Sequence, residues 1–235
     1  MLARVALLIS FPLEMTTWTR PLPVFFPSAP GLFDALGMTF GGVLPPDGTT
    51  GATIIGFVKT EFTRGQTLSS SLSLADFDFF KSLVGWSSGS LGESSSVLLL
   101  VGGLSLIRKK IITWHIPFSI LGTVVILSFV MSLIDGQHYP GPLFHLSSGA
   151  LVLCAFFIAT DYVTCPSYPK GQLIYGMGVG GLIYVIRTWG SYPEGVGFAI
   201  LLMNGSTPLI DHYIRPRIYG RDRKGKPLRL RGEKS

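Results

Sequence analysis

The chain has 235 residues, 47% of them hydrophobic and only 14% charged. A soluble domain carries about a quarter charged residues, so the composition excludes an ordinary water-soluble globule and points to a membrane. The net charge of +6 is that of a tail, because nine of the 19 Lys and Arg lie between Arg215 and Lys234 against two acids there, leaving the rest at −1; with no basic-aromatic interleaving or finger spacing, a nucleic-acid surface is excluded too.

Residues Met1 to Phe11 are apolar with Arg4 near the start. A signal peptide has this look, but Pro12 to Trp18 offers no small-x-small cleavage site. Residues 1–18 are therefore expected to be the outer part of a transmembrane helix whose beginning is missing. Residues 19–88 are polar and loop-rich, with Pro21, Pro23, Pro27, Pro30, Pro45 and Pro46, and a serine-rich run from Ser69 to Ser73. Proline fixes φ and resists helix. Within this segment, Phe57 to Phe62 and Leu72 to Leu83 fit short amphipathic helices lying on a membrane. Phe77, Phe79, Phe80 and Trp86 fit an interfacial aromatic belt.

Residues 89–214 hold five apolar stretches long enough to span a bilayer, for which about 20 residues are needed. They run from about Gly89 to Ile107, Ile116 to Ile134, Leu143 to Thr160, Gln172 to Trp189 and Tyr192 to Tyr213, with boundaries uncertain by roughly 2–4 residues. Glycines recur inside them, and in membranes these let helices approach closely. The fold class expected is an all-α polytopic membrane protein, with about five complete transmembrane helices and part of another.

Lys and Arg collect in short cytoplasmic loops. Arg108-Lys109-Lys110 follows the first stretch, Lys170 lies in the loop after the third, and the loop 135–142 has no Lys or Arg. The basic tail, 215–235, follows the fifth. The alternation is regular, so the C-terminus is expected in the cytoplasm and residues 19–88 on the trans side, periplasmic in a bacterium.

Few side chains suggest chemistry. Cys154 and Cys165 form no CxxC or Cys/His cluster, so neither a zinc site nor a disulfide framework is expected. Cys154 reads as a small buried hydrophobe; Cys165 lies in a loop. Asp161 is balanced between an ion-path carboxylate and a solvated helix end. Arg187 is expected to snorkel to headgroups, with contact to a phosphate as the sharper alternative. Glu194 suits a helix N-terminus. His115 and His145 lack metal-site spacing and read as polar packing. Asp211 and Arg215 fit a helix pair four apart. No catalytic or metal residues are assigned.

One trans-side segment stands out: Asp47-Gly48-Thr49-Thr50-Gly51-Ala52-Thr53. Read bare it is a surface turn, since Pro46, Asp47 and Gly48 are turn residues and Gly51 permits φ > 0. The pattern also resembles the Asp-x-x-(Ser/Thr)-Gly-Ala-Thr recognised by flavin transferases of the ApbE type. The match is Asp47, Thr50, Gly51, Ala52 and Thr53. Other segments carry the likeness across nearly the whole chain: Leu8 to Pro12, Trp114 to Pro117, His145 to Ala150, Ala155 to Asp161, Tyr192 to Val196, Pro208 to Asp211 and Arg215 to Gly220. In order and spacing they resemble the RnfD/NqrB family, and the short basic tail is more like RnfD. Thr50 stands where the family more often has Ser, Ile54-Ile55 where it commonly has Pro-Leu, and Tyr162 where it often has Pro.

The resemblance implies a flavin-carrying subunit of an ion-translocating, ferredoxin/NAD-linked electron transport complex of the Rnf type. FMN would be joined by a phosphodiester to Thr53, with Asp47, Thr50, Gly51 and Ala52 as the attachment motif. It leaves room for a second, non-covalent flavin. Implied partners are the other complex subunits, a flavin transferase and the lipid bilayer, in a bacterial inner membrane, with no nucleic acid. The implied fold is the end of one repeat plus the second half of an inverted-repeat, urea-transporter-like arrangement. Such a chain is a part of a translocase-type oxidoreductase and is not catalytic alone. Two other readings stand beside it: a transporter- or channel-like subunit, and a truncated structural subunit without flavin.

Overall fold

The computed structural model of the chain describes residues 2–12, 17–19, 50–52, 54–65, 68–74, 79–84, 95–190, 192 and 195–214. In chain order the elements are α1 (Leu2–Ser10), β1 (Thr17–Thr19), β2 (Thr50–Ala52), α2 (Ile54–Thr63), α3 (Leu68–Leu74), α4 (Phe79–Val84), α5 (Ser96–Arg108) and α6 (His115–Ile134). There follow α7 (Pro142–Ser147), α8 (Leu151–Leu153), which runs on into a π-helical turn (Cys154–Ile158), then α9 (Pro169–Trp189) and α10 (Val196–Tyr213).

Helix occupies all five of the apolar stretches, but not uniformly. α6 has 20 residues, about 30 Å at 1.5 Å per residue, which matches the hydrocarbon thickness of a bilayer. Among the described residues it is the one helix long and apolar enough to cross a membrane. α9 has 21 residues, yet its glycines, Lys170, Gln172 and Arg187 dilute its apolar character. α5 has 13 residues, shorter than the stretch in which it lies.

α9 is clasped between α6 and α10, and its glycines make this possible. A Cβ on Gly176 would lie 2.7 Å from Ser119 Cβ, and one on Gly180 would lie 2.7 Å from the Ile120 carbonyl oxygen. On the other flank, a Cβ on Gly178 would lie 2.5 Å from Met203 Cε. Such close approach strengthens dispersion between helices where lipid leaves little hydrophobic driving force. Polar side chains then tie the layers. Ser119 Oγ donates to Leu173 O at 2.6 Å, and Tyr175 Oη donates to Asn204 Oδ1 at 2.6 Å. Ile116, Ile120, Val124, Tyr175, Val179, Ile183, Ala199 and Ile200 are buried between the three helices. The outer face of α6 does the reverse: Phe118, Ile126, Phe129 and Leu133 are exposed, as on a surface facing lipid.

The third stretch is broken rather than continuous. α7 ends at Ser147, and Gly149 takes φ +73, a left-handed conformation that glycine adopts freely. A break within an apolar environment leaves carbonyls that must find donors. Here Ser82 Oγ donates to Ser147 O at 2.9 Å, and Arg187 Nη1 donates to His145 O at 3.1 Å. Ser148 Oγ closes on Phe144 O.

The part of the chain before α5 adds two features that the sequence pattern does not show. One is a short ladder beside the helices of an otherwise all-α chain: β1 and β2 pair antiparallel with Thr17 opposite Ala52, Trp18 opposite Gly51 and Thr19 opposite Thr50. Helix α1 stops at Ser10, and Thr17 and Trp18 belong to this ladder instead. Secondly, α2 does not lie free as an amphipathic surface helix. Ile55 and Val58 are buried against Phe144, with Ile54, Phe62, Leu68 and Leu72 around them. The α3 amide of Leu68 donates to Gln137 O at 3.1 Å, so this cap sits beside the loop 135–141. Elsewhere Tyr162 Oη meets Ile111 O, joining the two loops that the charge alternation puts on one side.

Candidate functional site

α2 begins at Ile54, the residue after Thr53 in sequence. Its positions 55, 58, 59 and 62 follow the i, i+3, i+4, i+7 rule for one helix face. That face, Ile55, Val58, Lys59 and Phe62, forms one wall of a cavity of about 400 Å³. The other walls come from the 135–141 turn, from α7 and from the C-terminal turn of α9. They supply Asp135, His138, Tyr139, Phe144, His145, Arg187 and Trp189.

Two cations, Lys59 and Arg187, stand among the polar residues of this lining. Lys59 lies in an otherwise apolar helix face, and its Nζ donates to Ile186 O at 2.9 Å, Gly190 O at 2.7 Å and Tyr192 O at 2.7 Å. Burial, and then the Arg187 guanidinium, push its ammonium down to about 8. The three carbonyls oppose that, since they favour the charged form. Arg187 is only 3% exposed, so the expectation that it snorkels to headgroups is overturned. Its guanidinium turns inward to the broken end of α7 because an orphan carbonyl there needs a donor.

His145 is buried, and among the described residues neither ring nitrogen has a hydrogen-bond partner. Its ring lies 5.4 Å from that of Tyr184 and 5.7 Å from that of Phe144. Trp189 meets both Tyr139 and Tyr184 edge-on, with centroids 6.2 Å apart in each pair. The acid of the lining, Asp135, is engaged locally. It accepts from the Gln137 amide at 3.0 Å and pairs with His138 Nδ1 at 2.8 Å. The Gln137 amide first, and His138 with it, hold its carboxyl below the usual range. The arrangement suits a ligand with a flat apolar ring and a negative charge: aromatic edges for the ring, and for the charge Arg187 with the field of Lys59.

The sequence-derived candidates fall in and out of this site as follows. Thr50, Gly51 and Ala52 form β2, so the bare reading as a turn is corrected: a pairing partner more than thirty residues away in sequence sets the conformation. Thr53 and Asp47 lie outside the described residues, as do Glu194, Arg215 and the basic tail. Asp161 is exposed and accepts from Thr164 Oγ1 at 3.1 Å, the solvated-end alternative. Cys154 is fully buried, as a small hydrophobe should be. Burial also pushes the Cys165 thiol up, away from thiolate. No cluster of three or more His, Cys, Asp or Glu able to hold a metal occurs among the described residues. Sequence reasoning does not single out Lys59 or Trp189. The available signal is a lysine inside the Ile55-Val58-Phe62 stripe.

A helical bundle with an outward apolar face on α6, glycine-mediated helix contacts and a cavity lined by aromatic rings and cations has the build of a helical membrane protein. The chain belongs to the NQR2, RnfD, RnfE family, whose model matches residues 1–220. It is 51% identical over 228 residues to the D subunit of the ion-translocating oxidoreductase complex of Stutzerimonas stutzeri, and 45% identical over 228 residues to the same component from Halorhodospira halophila. These alignments cover 97% of this chain and 64% of each relative. It is also 41% identical over 231 residues to the corresponding protein of Vibrio atlanticus, covering 94% of this chain and 64% of that relative. The chain thus spans less than two thirds of the length of these relatives.

Proposed function

We propose that the chain is a flavin-carrying membrane subunit of an ion-translocating electron transport complex, with FMN joined through a phosphodiester to Thr53 on the periplasmic side of the inner membrane. The relatives named for such a complex support the subunit role. The observation that carries the flavin reading is positional. The helix that starts one residue after Thr53 turns Ile55, Val58, Lys59 and Phe62 into a cavity lined by further cations and aromatic rings. Two independent features, a transferase motif and a ring-and-anion site, therefore meet within about two helical turns, roughly 11 Å of chain rise.

The residues present fit the group. Thr53 precedes a ten-residue helix in sequence, and a helix N-terminus, with its unpaired amides and positive dipole end, would favour the negative charge of a phosphodiester. Phe144, Tyr139 and Trp189 offer apolar edges to a flat ring, Arg187 supplies positive charge, and Lys59, its N–H groups taken by carbonyls, adds only to the local field. When bound, FMN supplies the means to accept electrons in pairs and release them singly, chemistry that belongs to the cofactor. The chain's own part is to anchor, orient and shield. Thr53 contributes a hydroxyl as attachment point, and Gly51 and Ala52 leave space for the transferase. Iron-sulfur and nucleotide steps fall to other subunits, ferredoxin and NAD being the expected terminal couples.

The test is co-expression with a flavin transferase followed by a denaturing gel. The expected result is a band fluorescent under ultraviolet light, absent in Thr53→Ala. A dark wild-type band would remove the flavin and leave a transporter-like or purely structural subunit. Substrate uptake into vesicles without redox partners would favour the transporter.

A further inference from the structure

We propose that Lys59 is a positioning residue for the flavin: its side chain latches the helix that follows Thr53 onto the α9–α10 turn, and so holds the attached ring over the cavity. The inference rests on the flavin reading above, but the latch itself stands on geometry alone.

α2 has ten residues, too few for a helix to persist unaided in water. Its apolar anchorage is small: among the described residues, Ile55 and Val58 are its buried hydrophobes, packed against Phe144. Lys59 adds the long-range polar tie. An ammonium has three N–H groups and accepts nothing, and here three carbonyls, of Ile186, Gly190 and Tyr192, lie at 2.7–2.9 Å. All the donor capacity of the group therefore goes to one turn of chain. Those oxygens lie at and just beyond the C-terminus of a 21-residue helix, where the dipole is negative; Ile186 O also accepts the Gly190 amide at 2.9 Å and offers Lys59 its second lone pair.

The turn is shaped to make the cradle. A Cβ on Gly190 would lie 2.6 Å from Ile186 O, and one on Gly195 would lie 2.5 Å from Ile186 Cβ. Side chains at either position would push the chain away from Ile186. Lys59 follows Thr53 by six residues, about 9 Å along a helix. Fixing it fixes the direction in which a tether on Thr53 can reach. Arginine carries the charge, but its N–H groups lie in a plane and do not reproduce a three-way contact.

Two measurements decide this. In the unmutated chain, in detergent, Lys59 is expected to react with a small amine-acylating ester at least tenfold more slowly per neutral amine than the exposed Lys109 and Lys110, the neutral fraction being taken from each residue's own pH–rate profile by peptide mass spectrometry. Equal rates overturn the latch, and this needs neither flavin nor a variant that folds. In chain loaded with FMN by co-expressed transferase, Lys59→Met is expected to keep its fluorescent band on a denaturing gel. Its flavin circular dichroism in the visible should fall at least threefold, because the ring is no longer held in an asymmetric site. Lys59→Arg should retain more of that signal than Lys59→Met. A Lys59→Met signal equal to wild type, or a Lys59→Arg signal no larger than that of Lys59→Met, overturns the positioning role. A wild-type chain without a fluorescent band sinks the flavin reading instead, and the acylation result still stands.

Discussion

The α6–α9–α10 bundle and the α2–α4 cap are held together by different physics. In the bundle, glycines at 176, 178 and 180 bring helix surfaces so close that a single added carbon would collide with a neighbour. Its interior is a continuous set of buried side chains from all three helices. Among the described residues of the cap, the buried hydrophobes are Ile55 and Val58, packed against Phe144 of α7, and single polar ties add to the holding. Lys59 reaches the α9–α10 turn, Ser82 reaches Ser147 O, and the Leu68 amide reaches Gln137 O. The bundle resists change everywhere, whereas the cap can be loosened one contact at a time.

That contrast can be broken most severely from the bundle side. Gly180→Val places branched carbons where a Cβ already lies 2.7 Å from the Ile120 carbonyl. Overpacking of this kind costs about 1–3 kcal/mol or more, and separation of α6 from α9 should lower both yield and the thermal midpoint in detergent. Next comes Val58→Ala in the cap, where deletion of buried methyl groups costs on the order of 1–3 kcal/mol. Hydrogen exchange in α2 should quicken while exchange in α9 stays as it was; equal changes in both would show that the two regions are not separable.

Smaller effects sharpen the same line. Ser82→Ala removes the donor to Ser147 O, a buried tie worth about 1 kcal/mol, and should raise exchange in α4 before α7. The least is a pH effect at Lys59. Its pKa of about 8 in the folded chain lies below the ordinary 10.5, so the docked cap binds fewer protons than the released one. Stability from this group is then flat below pH 8 and rises between pH 8 and about 10.5, because the neutral amine keeps two N–H donors for the carbonyls without the cost of a half-buried charge beside Arg187. A thermal midpoint that drops through that window in wild type, relative to Lys59→Met, would reverse the sign.

Some residues are legible in the sequence and others are not, for physical reasons. Apolar stretches mark where the chain is helical because lipid and protein interior alike demand internal backbone hydrogen bonds. The break at Gly149 leaves no such mark, since Ser148-Gly149-Ala150 sits in a run whose average stays apolar. Arg187 reads as an edge residue by its position near a helix end. Its inward turn depends on the orphan carbonyl of His145, which exists only because α7 is broken. The strand Thr50–Ala52 reads as a turn because its partner, Thr17–Thr19, is remote in sequence.

The amino-acid order alone determined the membrane-type composition, the sites of the helices, the loop-charge alternation and the likeness of residues 47–53 to a flavin attachment motif. These are local or additive properties, readable from neighbours and sums. Tertiary structure decided that α2 docks on the bundle, that Lys59 finds three carbonyls, and that Arg187 and His145 share a cavity with Trp189. Such meetings depend on which distant segments pack together, and a backbone carbonyl offered by a turn leaves no mark in the identity of the residue that carries it.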